Sequence, residues 1–495
     1  MAALANQGIL TNIPESSNAG ALYELVARGQ KDSYFMRDDP DAHWPYDTRY
    51  ESSSQFLEER QTIVPLNGTS WGAPFEVEIQ SYGDILTEAS FLINLPTWFP
   101  DLPLVANGPT YPPLQANAAY DISDTFGNKY FYTDFVGFLM FEKIQLYQDQ
   151  FLIQEWTGES LFTMAALGKF DSPRNQKFLE FQGAGQFGTF RKIQATPPQL
   201  RIRLPLPGCQ GFEDVGLPIC GINSQALRLK CRLRRLEDLV VDLADNFKPQ
   251  PWNVREFRYE DSNGQLIIFQ PIPLNKIGQP TILLETTQAY LTPDVRNEII
   301  DQPRQILFRQ VFENIFTIGE LDYAPFDRGA ITVSCVRRLD GRHPTEELIW
   351  FFRSQNSLDR NQLTNFNNGI DPSGSFYESI KLVTAGQDRE GYWSSYIWED
   401  VEEAMKHGDD SGLRIGSMNW SLGRLVERQW GTSGPRQPEG TINMTTAYRP
   451  DLHINITPTS PSVLLNRRNT EMRVYAVGWN TYEIGNGRGR LLYAN

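Results

Sequence analysis

Two short runs on either side of one loop constrain this chain more than any other feature in it. From Leu200 to Leu204 apolar and basic residues alternate strictly, with Leu200, Ile202 and Leu204 set against Arg201 and Arg203. After the loop, Leu227, Leu229, Cys231 and Leu233 alternate with Arg228, Lys230, Arg232 and Arg234. A period of two places successive side chains on opposite faces of an extended backbone, so each run predicts a half-buried strand with one apolar and one cationic face. Such strands need neighbours to pair with and a second layer over the apolar face, which points to a β-sandwich.

The same chemistry recurs along the 495 residues. Phe75, Val77 and Ile79 alternate with Glu76, Glu78 and Gln80, and Ile85 to Leu95, Phe138 to Tyr147 and Phe151 to Trp156 read as further strands. Beyond the basic runs come a hairpin with Asn263-Gly264 at its turn, then Thr281 to Leu284, Gln305 to Ile318, Ala330 to Leu339, Glu347 to Phe352, Asp451 to Ile456 and Met472 to Trp479. Helical spacing is confined to Leu22, Leu25 and Val26 before Gly29, to Leu161 to Leu167, to Leu236 to Leu243, and to Glu402 with Lys406. Many strands joined by turns explain 38 glycines and 32 prolines. The fold class is all-β, with two antiparallel sandwiches in tandem and short helices in loops. The expected divisions are an N-terminal arm with a short helix at 1–47, a first sandwich at 48–241, a linker at 242–252 closed by Pro249 and Pro251, and a second sandwich at 253–495. Residues 96 to 120, broken by prolines, read as a long surface loop.

A length of 495 residues suits two or three cores. Met1 to Gly8 has no basic or long apolar stretch, so no signal peptide is expected, and no window approaches the ~20 apolar residues of a membrane span. Four cysteines, Cys209, Cys220, Cys231 and Cys335, do not make a disulfide framework and fit a reducing compartment. A net charge of −15 works against general adhesion to nucleic acid or anionic lipid.

Candidate chemistry is thin, and no catalytic, cofactor or metal residue is expected. Gly183, Gly185 and Gly188 have the spacing of a dinucleotide loop, but β-like sequence follows where a helix is required. Cys209, Cys220 and Cys231 are eleven apart, unlike zinc ligands. Of His43, His343, His407 and His453, His343 stands nearest to acids, Glu346 and Glu347, but neighbours on a strand point to opposite faces. Two carboxylates facing each other across a glycoside cannot be placed either, and Asp409-Asp410 reads as a loop pair.

The six cations, Arg201, Arg203, Arg228, Lys230, Arg232 and Arg234, admit three readings. Without interleaved aromatics they are poorly equipped for nucleic acid, and a solvated face is the plainest alternative. The favoured reading is an ion-paired interface between subunits or domains, with Glu76 and Glu78, or an acidic patch on another subunit, as partners. Asn67, Asn419, Asn443 and Asn455 begin Asn-x-Ser/Thr triplets, glycosylation candidates that are expected to be chance matches where no secretory signal precedes them.

Taken in order, several strings resemble the double jelly-roll major capsid proteins of nucleocytoplasmic large DNA viruses. These are Gly20 to Tyr34, Tyr82 to Leu86, Val136-Gly137 through Trp156, His343 to Trp350, Gly440 to Met444, Val474 to Asn480 and Gly489 to Asn495. At the joint the chain departs from the family, with Pro205 to Phe212 and Leu229 to Arg232 where an aromatic run and a Tyr-His-Glu strand are common. The resemblance implies two eight-stranded jelly rolls, no catalysis, and homotrimers that form pseudo-hexagonal capsomers tiling an icosahedral shell. It further implies neighbouring capsomers and minor capsid proteins as partners, no cofactor, no direct nucleic-acid contact, a place in the virion capsid, and synthesis in the host cytoplasm or a viral factory. Two alternatives stand beside it: a capsid-like paralogue acting as a minor capsid protein or membrane-shaping scaffold, and a carbohydrate-binding or glycoside-cleaving β-sandwich.

Overall fold

A computed structural model describes residues 56–96, 120–121, 130–167, 192–193, 199–210, 216–242, 257–260, 266–269, 278–327, 330, 332–342, 344–367, 374–407, 412–421, 438, 440–447, 449–456 and 469–493. The chain divides into two compact units, Met1–Gln55 and Phe56–Asn495. The arm expected at 1–47 with its short helix, the glycine-rich loop at 183–188, His43, His343 and Asp409-Asp410 all lie outside the described residues, as does most of the 96–120 loop.

The second unit is built on two sets of eight strands. The first set is β1 (Phe56–Ile63), β2 (Pro74–Glu78), β3 (Ile85–Asn94), β4 (Phe141–Gln148), β5 (Phe151–Trp156), β6 (Leu200–Arg203), β7 (Leu227–Leu233) and β8 (Thr281–Leu291). They pair antiparallel in the orders β1-β8-β3-β6 and β2-β7-β4-β5. The second set is β9 (Arg304–Ile318), β10 (Val333–Arg338), β11 (Pro344–Arg353), β12 (Ser379–Thr384), β13 (Gln387–Ser394), β14 (Ile415–Asn419), β15 (Asp451–Ile456) and β16 (Thr470–Gly485). Their orders are β9-β16-β11-β14 and β10-β15-β12-β13, the first pattern with eight added to each number. Each set is a jelly roll, and the chain is two of them in tandem. Two short strands extend the larger sheet of the second roll, Ile442–Asn443 on β11 and Arg488–Leu491 on β16.

Alternation explains each core. Phe75 of β2 meets Phe91 of β3 edge-on at 6.3 Å between centroids, and Phe91 stacks on Phe141 at 5.2 Å, so aromatic rings bridge the two sheets of the first roll. In the second roll Leu348, Trp350 and Phe352 of β11 join Leu452, Ile454 and Ile456 of β15 and Met472 and Val474 of β16. The opposite face of the same sheet is also buried. Ile349, Phe351, Ile415, Tyr475 and Val477 belong to the core cluster of the first roll. This sheet therefore has no solvated face over much of its length, which is why β11 and β16 read as near-continuous apolar runs.

Several local expectations change. Val136–Leu139 is a helical turn, α1, so the strand expected from Phe138 starts at Phe141. The expected turns at Leu161 to Leu167 form α2 (Gly158–Ala166), whose N-cap Thr157 and Ser160 make a reciprocal capping box. Among the described residues of the run to Leu243 only Leu236–Asp238 is helical, as a 3₁₀ turn, and Val240–Asp242 pairs with Tyr130–Tyr132. Asn361 holds that reversal by donating to the carbonyls of Glu237 and Val240, both at 2.6 Å. Lys406 lies in a π-helical turn, Glu403–His407, and Glu402 at its junction with another, Ile397–Val401. Thr281–Leu291 follows the stretch at 242–252 in sequence, yet inserts between β1 and β3 in unbroken register with β1. The chain then passes to the second roll through α3 (Pro293–Asp301).

Candidate assembly site at the joint between the rolls

The two basic strands lie in different sheets. β6 is the edge of one sheet of the first roll and β7 is a central strand of the other, so their like charges do not face each other. Register sets the partners on β7: Arg228 lies opposite Glu78 and Lys230 opposite Glu76. Arg228 Nε is 3.1 Å from Glu78 Oε2, and Lys230 Nζ is 3.7 Å from Glu76 Oε1 and 4.7 Å from the centre of the Tyr147 ring. Arg232 reaches Glu142 at 3.0 Å. On β6, Arg201 bridges Glu88 at 3.2 Å and Glu285 at 2.6 Å, while Arg203 pairs through its backbone with Ser90. The Arg228, Lys230 and Arg232 pairs are solvent-accessible, where an ion pair contributes no more than about 1 kcal/mol.

Arg234 behaves differently because the alternation carries it past the strand end to the joint. Its guanidinium bonds Glu159 of α2, which is 0% exposed. Glu159 is also met from the second roll, by Arg353 of β11 at 3.4 Å and Arg473 of β16 at 3.5 Å. Glu471 Oε2 lies 2.7 Å from Arg353 Nη2, and its Oε1 lies 2.7 Å from Arg473 Nε. Arg473 Nη1 reaches Glu313 of β9 at 2.9 Å, and Tyr475 Oη and Thr157 Oγ1 donate to the same carboxylate oxygen. Three arginines and three glutamates thus neutralise one another where the rolls meet.

The electrostatics follow from that layout. Burial pushes Glu159 up, but Arg234, Arg473 and Arg353 outweigh it and hold the carboxyl well below the usual range. Glu471 is likewise raised by burial and lowered further by Arg353 and Arg473, with a net downward shift. For Glu313 burial wins, and its carboxyl is raised despite Arg473. Arg473 stays protonated, burial being outweighed by Glu159 and the neighbours around it.

Neutral contacts continue the joint. Gln210 makes a two-way amide bridge to the backbone of Arg309 in β9, at 2.7 and 2.8 Å, and Gln310 donates to Ile153 O at 3.1 Å. Phe366 stacks on Phe351 at 4.0 Å and meets Phe162 of α2 at 6.2 Å. The Gln148 side-chain amide lies 2.7 Å from Tyr482 Oη.

The acids beside His343 have structural partners. A bulge between Thr345 and Glu347 turns both Glu346 and Glu347 inward. Glu346 pairs with Arg309 at 2.9 Å, and Glu347 with His407 at 2.6 Å. All four cysteines are buried and none is in a disulfide. Among the described residues no group of three or more His, Cys, Asp or Glu is arranged to hold a metal, and no helix is long and apolar enough to cross a membrane. Of the triplet asparagines, Asn67 and Asn443 are exposed, Asn455 Nδ2 donates to Ser379 at 3.1 Å, and Asn419 Nδ2 is buried.

Of the cations singled out in sequence, only Arg234 is placed by these contacts in the charge cluster at the joint. Its partners Glu159, Glu313, Arg353, Glu471 and Arg473 were missed. One signal was present: Arg353 ends the apolar run from Leu348, and Glu471 and Arg473 alternate with Met472 and Val474, so charges interrupt strands otherwise destined for burial.

No family model matches the chain, and no curated protein matches its sequence. Solved structures do match. VP54 of PBCV-1, in a crystal structure fitted into a reconstruction of the virophage Sputnik, superposes with a TM-score of 0.65 at 15% identity, covering 91% of this chain and 100% of that one. A quasi-atomic model of the PBCV-1 capsid gives 0.63 at 16% identity over the same shares, and the Faustovirus major capsid protein gives 0.57 at 11% identity, covering 89% and 92%. At such identities the likeness defines the fold, a double jelly roll spanning almost the whole chain.

Proposed function

We propose that this chain is a structural subunit of an icosahedral virus shell, assembling as a homotrimer whose six jelly rolls form a pseudo-hexagonal capsomer. The observation that carries this reading is one strand order used twice, in two rolls locked together through a buried sheet face and a neutralised charge cluster. Three such chains offer six near-equivalent blocks, and a ring of them closes through heterologous contacts, one patch meeting a different patch on the next copy. We place the boundary between the rolls at α3 and assign Arg234 to the inter-domain joint. Arg201, Arg203, Arg228, Lys230 and Arg232 are assigned to the surface that a neighbouring subunit meets, where complementary charge fixes register. The subunit has no catalytic role in this reading, in keeping with Glu346 and Glu347 being engaged by Arg309 and His407. It resides in the virion capsid above minor capsid proteins, after synthesis in the host cytoplasm or a viral factory.

Light scattering on the purified protein tests the oligomer. Three chains of 56.5 kDa give a mass of about 170 kDa, and a stable monomer at micromolar concentration would reject the reading.

A further inference from the structure

An open pocket lies at the edge of the second roll, outside every contact of the joint. Glu390 and Trp393 of β13, Trp398 of the first π-helical turn, Glu402 at the junction between the two turns, and Met418 and Asn419 of β14 line it. π-Helical turns are rare and recur at functional sites. The walls differ in how firmly they are held: Trp398 is buried and donates to Ile380 O at 3.2 Å, whereas Trp393 leaves 48% of its surface to solvent.

Two polar atoms of this lining are buried and unbonded, Glu402 Oε2 and Asn419 Nδ2, while Asn419 Oδ1 is taken by the Ser421 N–H at 2.7 Å. An acceptor left dry in this way carries a desolvation cost that a fitting donor relieves. The charge is only partly compensated. Burial pushes the Glu402 carboxyl up, Lys406 partly offsets this, and Glu347 and Glu390 push it further. Lys406 itself donates to Ser421 O at 2.5 Å, and Glu390 makes no side-chain ion pair among the described residues.

We propose that this pocket binds a primary alkylammonium group of the lysine side-chain class. Its N–H donors serve Glu402 Oε2, its charge sits between Glu402 and Glu390, and its methylene stem packs on Met418 and the indole of Trp393, which also offers a cation–π face. A saccharide could likewise use an idle donor, an idle acceptor and an indole face, but it would bring no positive charge to the two carboxylates. The proposal stands on the pocket alone and does not depend on the shell reading.

Calorimetric titration of the full chain with n-butylammonium tests it, with n-butanol, which has the same stem and no charge, and methyl glucoside as comparisons at matched ionic strength. The expected result is saturable binding of n-butylammonium about tenfold or more tighter than either neutral probe, weakened about tenfold by Glu402→Gln and by Trp393→Ala. Equal binding of n-butanol would reduce the pocket to an apolar cleft, and saturation by methyl glucoside alone would make it a saccharide site. Unchanged affinity in Glu402→Gln, or no saturable binding of n-butylammonium, also overturns the proposal. Should Trp393→Ala lower the unfolding midpoint, the neutral probes and Glu402→Gln, nearly isosteric with the native side chain, still decide.

Discussion

Glu159 and Arg228 show how differently one kind of contact behaves in two settings. Glu159 is fully buried among Arg234, Arg353 and Arg473, and removing its charge leaves three guanidiniums sharing two carboxylates in a dry joint. Breaking one partner out of a buried ion-pair network costs about 3–5 kcal/mol. Glu159→Gln should therefore destabilise the protein by an amount of that order in denaturant unfolding. Arg228→Ala removes a pair whose two side chains are 42% and 38% exposed, and should change stability by less than about 1 kcal/mol. Comparable losses from the two variants would mean that the joint is not electrostatically locked. Because Glu159 and Glu471 are depressed in the folded state, their contribution is present above the usual carboxylate range and is lost only as the pH falls through their lowered values.

The elements legible in the chain were those whose pattern is local. β7 announced itself because one face meets the core and the other meets Glu76 and Glu78 across the ladder, and β15 has the bounds its alternation indicated, Asp451–Ile456. β1, β12, β13 and β14 went unread. β13 is an edge strand exposed on both faces, so burial imposes no alternation on it, while in β14 Gly416 sits opposite Trp350 and fills no volume of its own. The linker expected at Pro249 and Pro251 rests on composition alone, and both prolines lie outside the described residues. The position of β8, between β1 and β3, is a long-range pairing that local pattern does not encode. The charge cluster was hidden for the same reason, since its members come from α2, the end of β7, β9, β11 and β16. The π-helical stretch was read as an ordinary helix, although it carries a titrating group. Burial raises Glu399 to about 7, against the opposing effects of Ser375 and Arg414. A carboxyl whose folded value lies above its ordinary value of 4.5 contributes stability below that value and loses it as pH rises toward 7. The loss should approach about 3 kcal/mol, at about 1.4 kcal/mol per unit. Unfolding midpoints measured from about pH 4.5 to 8 should fall for the native chain relative to Glu399→Gln, and parallel curves would show that Glu399 ionises freely.

At the scale of the whole molecule, the sheet β9-β16-β11-β14 joins two cores. Its even positions on β11 and β16, Leu348, Trp350, Met472 and Val474, fill the second roll, while Ile349, Phe351, Tyr475 and Val477 extend the core cluster of the first. A sheet covered on both sides fixes the two rolls as one block, whereas a linker alone would leave them free to rotate. That rigidity is what a subunit needs if three copies are to present six near-equivalent corners. Electron-microscopic class averages of the purified oligomer test this most directly. A ring of three chains with a hexagonal outline made by six similar densities is expected, and a twofold dimer or a single two-lobed particle would overturn the trimeric reading.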